Sequence, residues 1–310
     1  MDRSLSHWFY YFIADYYWVK LDDRIFYVLK MIQAIYYPIL AIVGVPVNLL
    51  TIRILSRGKC GLSKCVTRYL VAMAAADLLV IILDLILRHI PIVYQKHFQF
   101  LESIPLCNIH AILLYAATDC SVWFTITFTF DQFVAICYQK LKRKYCSEKT
   151  AAVVLGTATV LSRLNNIIWY FMLTGRYWLK NVPGFCDVSA GVLLSPFWAT
   201  IEFLHYIVTP CVPFVLMLLL NALTVRYILV SSSARRRLRA HSSGESRRDP
   251  EMESRRKSII LLLVISGNFI LLWAVLIMYA IWRRMWNFGY GPGFWSVYLP
   301  DYLVEVGFML

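Results

Sequence analysis

Residues Tyr69–Ile92 read YLVAMAAADLLVIILDLILRHIPI, 24 positions in which only Asp77, Asp84, Arg88 and His89 carry charge near neutral pH. A helix of that length rises about 36 Å, enough to cross a hydrocarbon core roughly 30 Å thick. The alternating segments of about ten residues that mark a membrane barrel are absent. Backbone groups in hydrocarbon must be satisfied within the segment, so the stretch predicts a membrane-spanning helix.

Outward from it, segments of the same kind fall at Ile32–Leu55, Cys107–Tyr138, Thr150–Leu173, Phe197–Val230 and Ile259–Trp282. A last one begins near Phe294 and runs to Leu310. The chain is 60% hydrophobic and 16% charged, with a mean hydropathy of +0.61. Soluble domains sit near 45–50% apolar and about 25% charged, which excludes a soluble bundle. The expected fold is therefore all-α: a seven-transmembrane helical bundle over 32–310, behind an extracellular N-terminal tail, 1–31. Phe294 to Leu310 supplies 17 residues, so the seventh helix is expected to be truncated at the C-terminus. The start, Met1-Asp2-Arg3, lacks the basic flank and apolar core of a cleavable leader, so the first span is expected to serve as the insertion signal.

Charge orients the bundle. Arg57, Lys59, Lys64 and Arg68 follow segment one, and Lys140, Lys142, Arg143, Lys144 and Lys149 follow segment three. A third group, from Arg235 to Lys257, follows segment five. Eighteen Lys and Arg on this side against ten on the other place it in the cytoplasm and the N-terminus outside. The net charge of +13 thus reports topology and a lipid-bilayer partner, not a nucleic acid. Residues 231–257, rich in Ser, Arg and Glu, read as a flexible third cytoplasmic loop. That loop is either a docking surface for an anionic or helical partner or a solvated topology anchor.

Cys107 and Cys186 fall on the outer side, where disulfides persist. Cys120, Cys137 and Cys211 lie in or near spans and read as packing residues. Cys60 and Cys65 share a cytoplasmic loop, but C-x4-C without a second pair is a poor metal signal. No metal site is expected.

Five short patterns then coincide in order and spacing. They are Gly44-Val-Pro-Val-Asn48, Leu70 to Asp77 (LVAMAAAD), the interval from Cys107 to Asp131, Pro213, and Phe269-x-x-x-Trp273. Together they resemble the rhodopsin-like family of G-protein coupled receptors, over about Ile32 to Leu310. Tyr36-Tyr37 through Leu55, Ala74–Asp77 and Leu272-Trp273-Ala274 look most like the orphan G-protein coupled receptor 139 group. The resemblance implies a plasma-membrane, multi-pass receptor for an extracellular small organic or peptide ligand, with a heterotrimeric G protein as its partner. It also implies a Cys107–Cys186 disulfide and a switch at Phe269, Trp273 and Pro213. Asp131-Gln132-Phe133 replaces the family's D-R-Y. Asp131 and Gln132 are then the transducer-facing pair, without the arginine that inserts toward the G protein. Val275 stands where the sixth-helix proline usually kinks the helix.

Charged groups inside spans are costly and usually functional. Asn48, Asp77 and Ser121 match the family's polar cluster, which there holds a sodium ion; a water-bridged packing network is the alternative. No other cofactor is implied. Tyr115, Thr118, Asp119 and Val122 share one helical face. Tyr115, Asp119, Glu202, His205 and Trp273 are the candidate ligand-binding residues; the resemblance implies that Tyr115, His205 and Trp273 line the pocket, with Trp273 as the floor. A lone intramembrane His is equally a structural hydrogen-bond partner, so His205 has both readings; the resemblance also places it facing Asp119, close enough to pair. Leu114 stands where amine receptors carry an acid, which disfavours a simple monoamine. Arg163 has Asp119 or Asp84 as candidate counter-ions.

Catalytic motifs such as H-E-x-x-H and G-x-S-x-G are absent, so an enzyme is not expected. A small-solute or ion transporter is the reading from another class, although the paired Gly/Pro helix breaks of that class do not show. A receptor-like chain that binds ligand without coupling is the alternative within the family.

Overall fold

The computed structural model describes residues 21–58, 61–94, 104–138, 141, 145–174, 187–188, 196–240, 260, 263–271, 273–274 and 278. The expected seventh span and most of the third cytoplasmic loop lie outside these residues. Helix α1 covers Leu21–Ser56. Helix α2 runs over Lys64–Val80, a π-helical stretch Ile81–His89 and a last turn Ile90–Tyr94. Helices α3 (Ile104–Cys137), α4 (Glu148–Asn166) and α5 (Pro196–Ala240) follow. Residues 263–271 are helical and are labelled α6. Past α4 come a one-turn helix, Trp169–Met172, and strand β1, Leu173–Thr174, paired antiparallel with β2, Asp187–Val188.

Within the described residues, four helices are long and apolar enough to cross a membrane: Val28–Ser56, Lys64–His89, Leu106–Cys137 and Cys211–Ser231. At 19 residues, α4 rises about 28 Å, close to a bilayer core. Helix α3 is the centre of the bundle, packing against α2, α4 and α5, while α1 packs on α2.

Several helices outrun the apolar stretches that predict them. Helix α1 begins at Leu21 instead of Ile32, inside the expected tail. Helix α2 begins at Lys64, where Ser63 caps it by accepting the Val66 N–H at 3.3 Å. Lys64, Cys65 and Arg68 are therefore helical and not loop residues. Helix α5 continues to Ala240, ten residues into the stretch expected to be loop. Hydrogen bonding does not stop at the hydrocarbon boundary. Ala, Arg and Leu in that extension favour helix, and no Gly or Pro interrupts it before Gly244.

Cys120, Phe124 and Phe128 recur at i, i+4, i+8 and so share the face of α3 that meets its neighbours. With Cys65, Tyr69 and Ala76 of α2 and Ala151 and Leu155 of α4 they form one buried cluster. Tyr69 meets Phe128 edge-on, ring centroids 6.1 Å apart. The hydroxyls of Thr118, Thr125 and Thr129 donate to carbonyls four residues earlier, which hides them from hydrocarbon.

The prolines explain two local features. Pro38 has no N–H for the carbonyl of Ala34, and the Tyr94 hydroxyl donates to that carbonyl at 2.6 Å, tying α2 to α1. Pro91 crowds the carbonyl of Leu87 four residues before it. The helix runs into Pro91 through a widened π turn, in which Ile90 N–H donates to Leu85 O. Where α1 crosses α2, a Cβ on Gly44 would come within 2.8 Å of Ile81 Cδ1, so glycine permits the approach.

At the other end Arg68 donates twice to Glu148 Oε1, at 2.6 and 3.2 Å, and Lys64 lies 3.8 Å from Oε2. This clasp holds the first turns of α2 and α4 side by side. Its hydrogen bonds keep the Glu148 carboxyl below the usual range. The clasp puts the two helix starts at the same end of the bundle, as expected from the positive-charge bias that groups them on one side.

Candidate functional site

The end of the bundle where α3 and α5 begin carries an aromatic wall contributed by three elements. Trp169, 2% exposed, stacks on Tyr115 of α3 with ring centroids 5.2 Å apart and planes 29° off parallel. It meets His205 of α5 edge-on at 4.9 Å. Tyr115 and His205, expected to share the ligand region, are thus joined through a residue that sequence reasoning passed over. Trp169 opens the one-turn helix just beyond α4, after a turn at residues 167–168, and helical spacing from α4 does not place it. His205 Nδ1 lies 3.3 Å from Thr209 Oγ1, one turn along α5. The side chain of Glu202 lies outside the described residues.

Asp119 sits one turn further along α3 and is buried. Its carboxylate does not meet His205; the Asn166 amide donates to Oδ2 at 2.6 Å and to Ser162 O at 2.8 Å. Helix α4 packs directly on this face of α3, so an α4 side chain reaches the carboxylate. The candidate counter-ions of Arg163 are also otherwise engaged. Arg88 Nη1 lies 2.9 Å from Asp84 Oδ1, and His89 Nε2 lies 3.5 Å from Asp84 Oδ2. Arg163 itself is exposed on the outside of α4. The π turn gathers Asp84, Arg88 and His89, with the Tyr37 ring 5.1 Å from His89. His110 Nε2 lies 2.8 Å from Leu83 O on the same stretch.

Deeper in the bundle the switch residues converge. Phe269 and Trp273 stack with centroids 5.4 Å apart. They pack with Val122 and Ile126 of α3 and Met217 of α5, so three helices meet around them. Pro213, one turn before Met217, is fully buried, and Thr129 donates to Met217 Sδ at 3.2 Å. Around Asp77, Ser121 donates to Oδ1 at 2.5 Å. Asn48 instead donates to Gly44 O of its own helix at 3.0 Å. The expected trio is thus an α2–α3 pair with Asn48 bonded along α1.

At the end of the bundle where α2 and α4 begin, Asp131 and Gln132 are both buried, Gln132 to 2% exposure. Neither side chain presents an open surface to a transducer in this conformation. The Cys65 thiol faces both carboxylate oxygens of Asp131, at 3.5 and 3.6 Å. Cys146 donates to the Asp131 backbone carbonyl at 3.6 Å. Helix α2 starting at Lys64 places Cys65 there; read as a loop residue, it gave no such signal. Cys107 is disulfide-bonded, while Cys65, Cys120, Cys137, Cys146 and Cys211 are thiols. Cys186 lies outside the described residues.

Comparison with known proteins follows the same lines. The family of seven-transmembrane receptors of the rhodopsin type matches residues 47–290. The chain is 24% identical over 157 residues to G-protein coupled receptor 39 of Bos taurus, covering 50% of this chain and 34% of that one. The proteins of that name from Mus musculus and Homo sapiens match with the same identity and coverage. The aligned part is thus about a third of the length of these relatives. The family match and these relatives support the broad rhodopsin-like class and do not bear on the narrower receptor 139 group.

Proposed function

This chain belongs to the rhodopsin family of seven-transmembrane receptors, which are not enzymes, and from that premise we propose that it is a plasma-membrane receptor for an extracellular small organic or peptide ligand. In this reading the ligand meets the wall of Tyr115, Trp169 and His205, and Glu202 and Asp119 are the acids of the region. The N-terminus is outside. The observation that carries the proposal is the packing of the stacked Phe269–Trp273 pair against both α3 and α5, the two helices that supply Tyr115 and His205. A ligand that favours one arrangement of that contact shifts the bundle between two states, and only its difference in affinity for the two drives the shift.

The inner partner in this reading is a heterotrimeric G protein, and Gln132 limits the response. A neutral amide cannot make the bidentate, charge-assisted contacts of a guanidinium. Gln132→Arg is expected to raise basal nucleotide exchange on a heterotrimeric G protein several-fold in membranes that hold equal amounts of receptor. Unchanged exchange would remove Gln132 as the limiting group. The polar pair Asp77–Ser121 is the proposed seat of a sodium ion, its carboxylate and hydroxyl oxygens suiting a hard cation.

The proposed partner of Cys107 is Cys186, which would tie the second outer loop to the head of α3 across the ligand entrance. Alkylation of the unreduced protein and peptide mapping are expected to recover the two as one linked pair. Recovery of Cys186 as an alkylated thiol would overturn the pairing.

A further inference from the structure

We propose that Cys65 and Cys146 are a redox pair, oxidised to a disulfide that takes away the hydrogen Cys65 gives to Asp131. The inference does not depend on what ligand the outer wall accepts.

The observations come from three elements. Cys65, in the first turn of α2, is 2% exposed and directs its thiol at both carboxylate oxygens of Asp131. Cys146, immediately before the cap of α4, directs its thiol at the backbone carbonyl of the same aspartate. It also packs against the buried cluster that contains Cys65. The clasp between Arg68 and Glu148 fixes the same two helix starts against each other. Arg68 lies one turn after Cys65 on the same face of α2, and Glu148 lies two residues after Cys146. Both thiols are therefore held beside one residue by a framework that does not need them. A disulfide requires its two Cα atoms within roughly 7 Å, so the link forms where the two clasped helix starts close to that distance.

The charge bias puts this end in the cytoplasm, where structural disulfides are rare and those that form are redox-sensing or catalytic. The co-reactant is a hydroperoxide. Cys146 is partly exposed while Cys65 is buried, so Cys146 meets the oxidant first. Its sulfur attacks the peroxide oxygen, the O–O bond breaks, and a sulfenic acid and one water form. The Cys65 sulfur then attacks the Cys146 sulfur and gives its proton to the Asp131 carboxylate, which already accepts it as a hydrogen bond. The S–O bond breaks, and the departing hydroxide takes that proton to leave as a second water. Two thiols and one hydrogen peroxide give one disulfide and two waters. Asp131 ends as a buried carboxylate without its α2 donor, at the residue that opens the family's coupling motif.

The test uses the full chain in membrane vesicles exposed to hydrogen peroxide, then alkylated and digested without reduction. The expected result is a linked pair of peptides carrying Cys65 and Cys146, with loss of both from the alkylated pool and return of both after dithiothreitol. Cys65→Ser and Cys146→Ser, each retaining a hydroxyl donor, are each expected to abolish the link. Cys146 found as a sulfinic acid with Cys65 still alkylatable would overturn the proposal, as would a link from either to Cys60. Mapping of the unsubstituted chain alone decides between these outcomes if a serine variant fails to accumulate.

Discussion

Asn166→Leu is expected to destabilise the receptor by about 2–3 kcal/mol, the range for a buried hydrogen bond to a charged group whose partner is left behind. Asn166 is fully buried and donates to Asp119 Oδ2 at 2.6 Å. Leucine keeps the γ-branched shape but is larger, so no cavity is left and the loss combines the missing donor with crowding at the site. Asp119→Leu alone is also expected to destabilise, because it leaves the Asn166 amide with Ser162 O but without its carboxylate acceptor. The double variant, Asp119→Leu with Asn166→Leu, is expected to recover most of the loss, as paired polar groups replaced together by apolar ones often do. Thermal denaturation of the four detergent-solubilised forms measures the cycle. A double variant as unstable as the sum of the singles would show that the two side chains act independently.

Trp169→Ala is expected to cost at least as much, ~3 kcal/mol or more, from the cavity left by a large buried ring. Lipid is as apolar as the bundle interior, so the loss is of packing against Tyr115 and His205 and not of transfer from water. The melting temperature is expected to fall on the order of 5 °C. Trp169→Phe, which keeps a stacking face, is expected to lose less than half of that. An alanine variant that melts with the wild type would show that the ring does not hold α3 and α5 together.

These two residues also mark where sequence reasoning stops. Tyr115, His205 and Trp273 are legible because they lie on recognisable motifs or spacings. Trp169 is not, because it follows the end of α4, where the chain leaves helical register at residues 167–168. Asp119 stands out as an acid in an apolar span, but its partner depends on which way α4 is rotated. The resemblance points to His205, and nothing in the pattern marks Asn166. The same holds at the inner end: Asp131 is conspicuous in sequence, whereas Cys65 becomes its neighbour only once Ser63 starts α2 early.

The sequence by itself determined the apolar spans among the described residues and the receptor class, and its resemblance pointed to the Asp77–Ser121 contact. It did so because a bilayer imposes length and polarity limits that are written directly in residue order. Tertiary structure alone decided the rotation of each helix, the π turn ahead of Pro91, and the partners of Asp119, Asp84 and Asp131. In water an apolar stripe reveals the buried face of a helix. In lipid both faces are apolar, as the exposed Val47, Leu50, Val160 and Leu219 illustrate. The inward face is chosen instead by close packing and a few hydrogen bonds, which exist only once the helices meet.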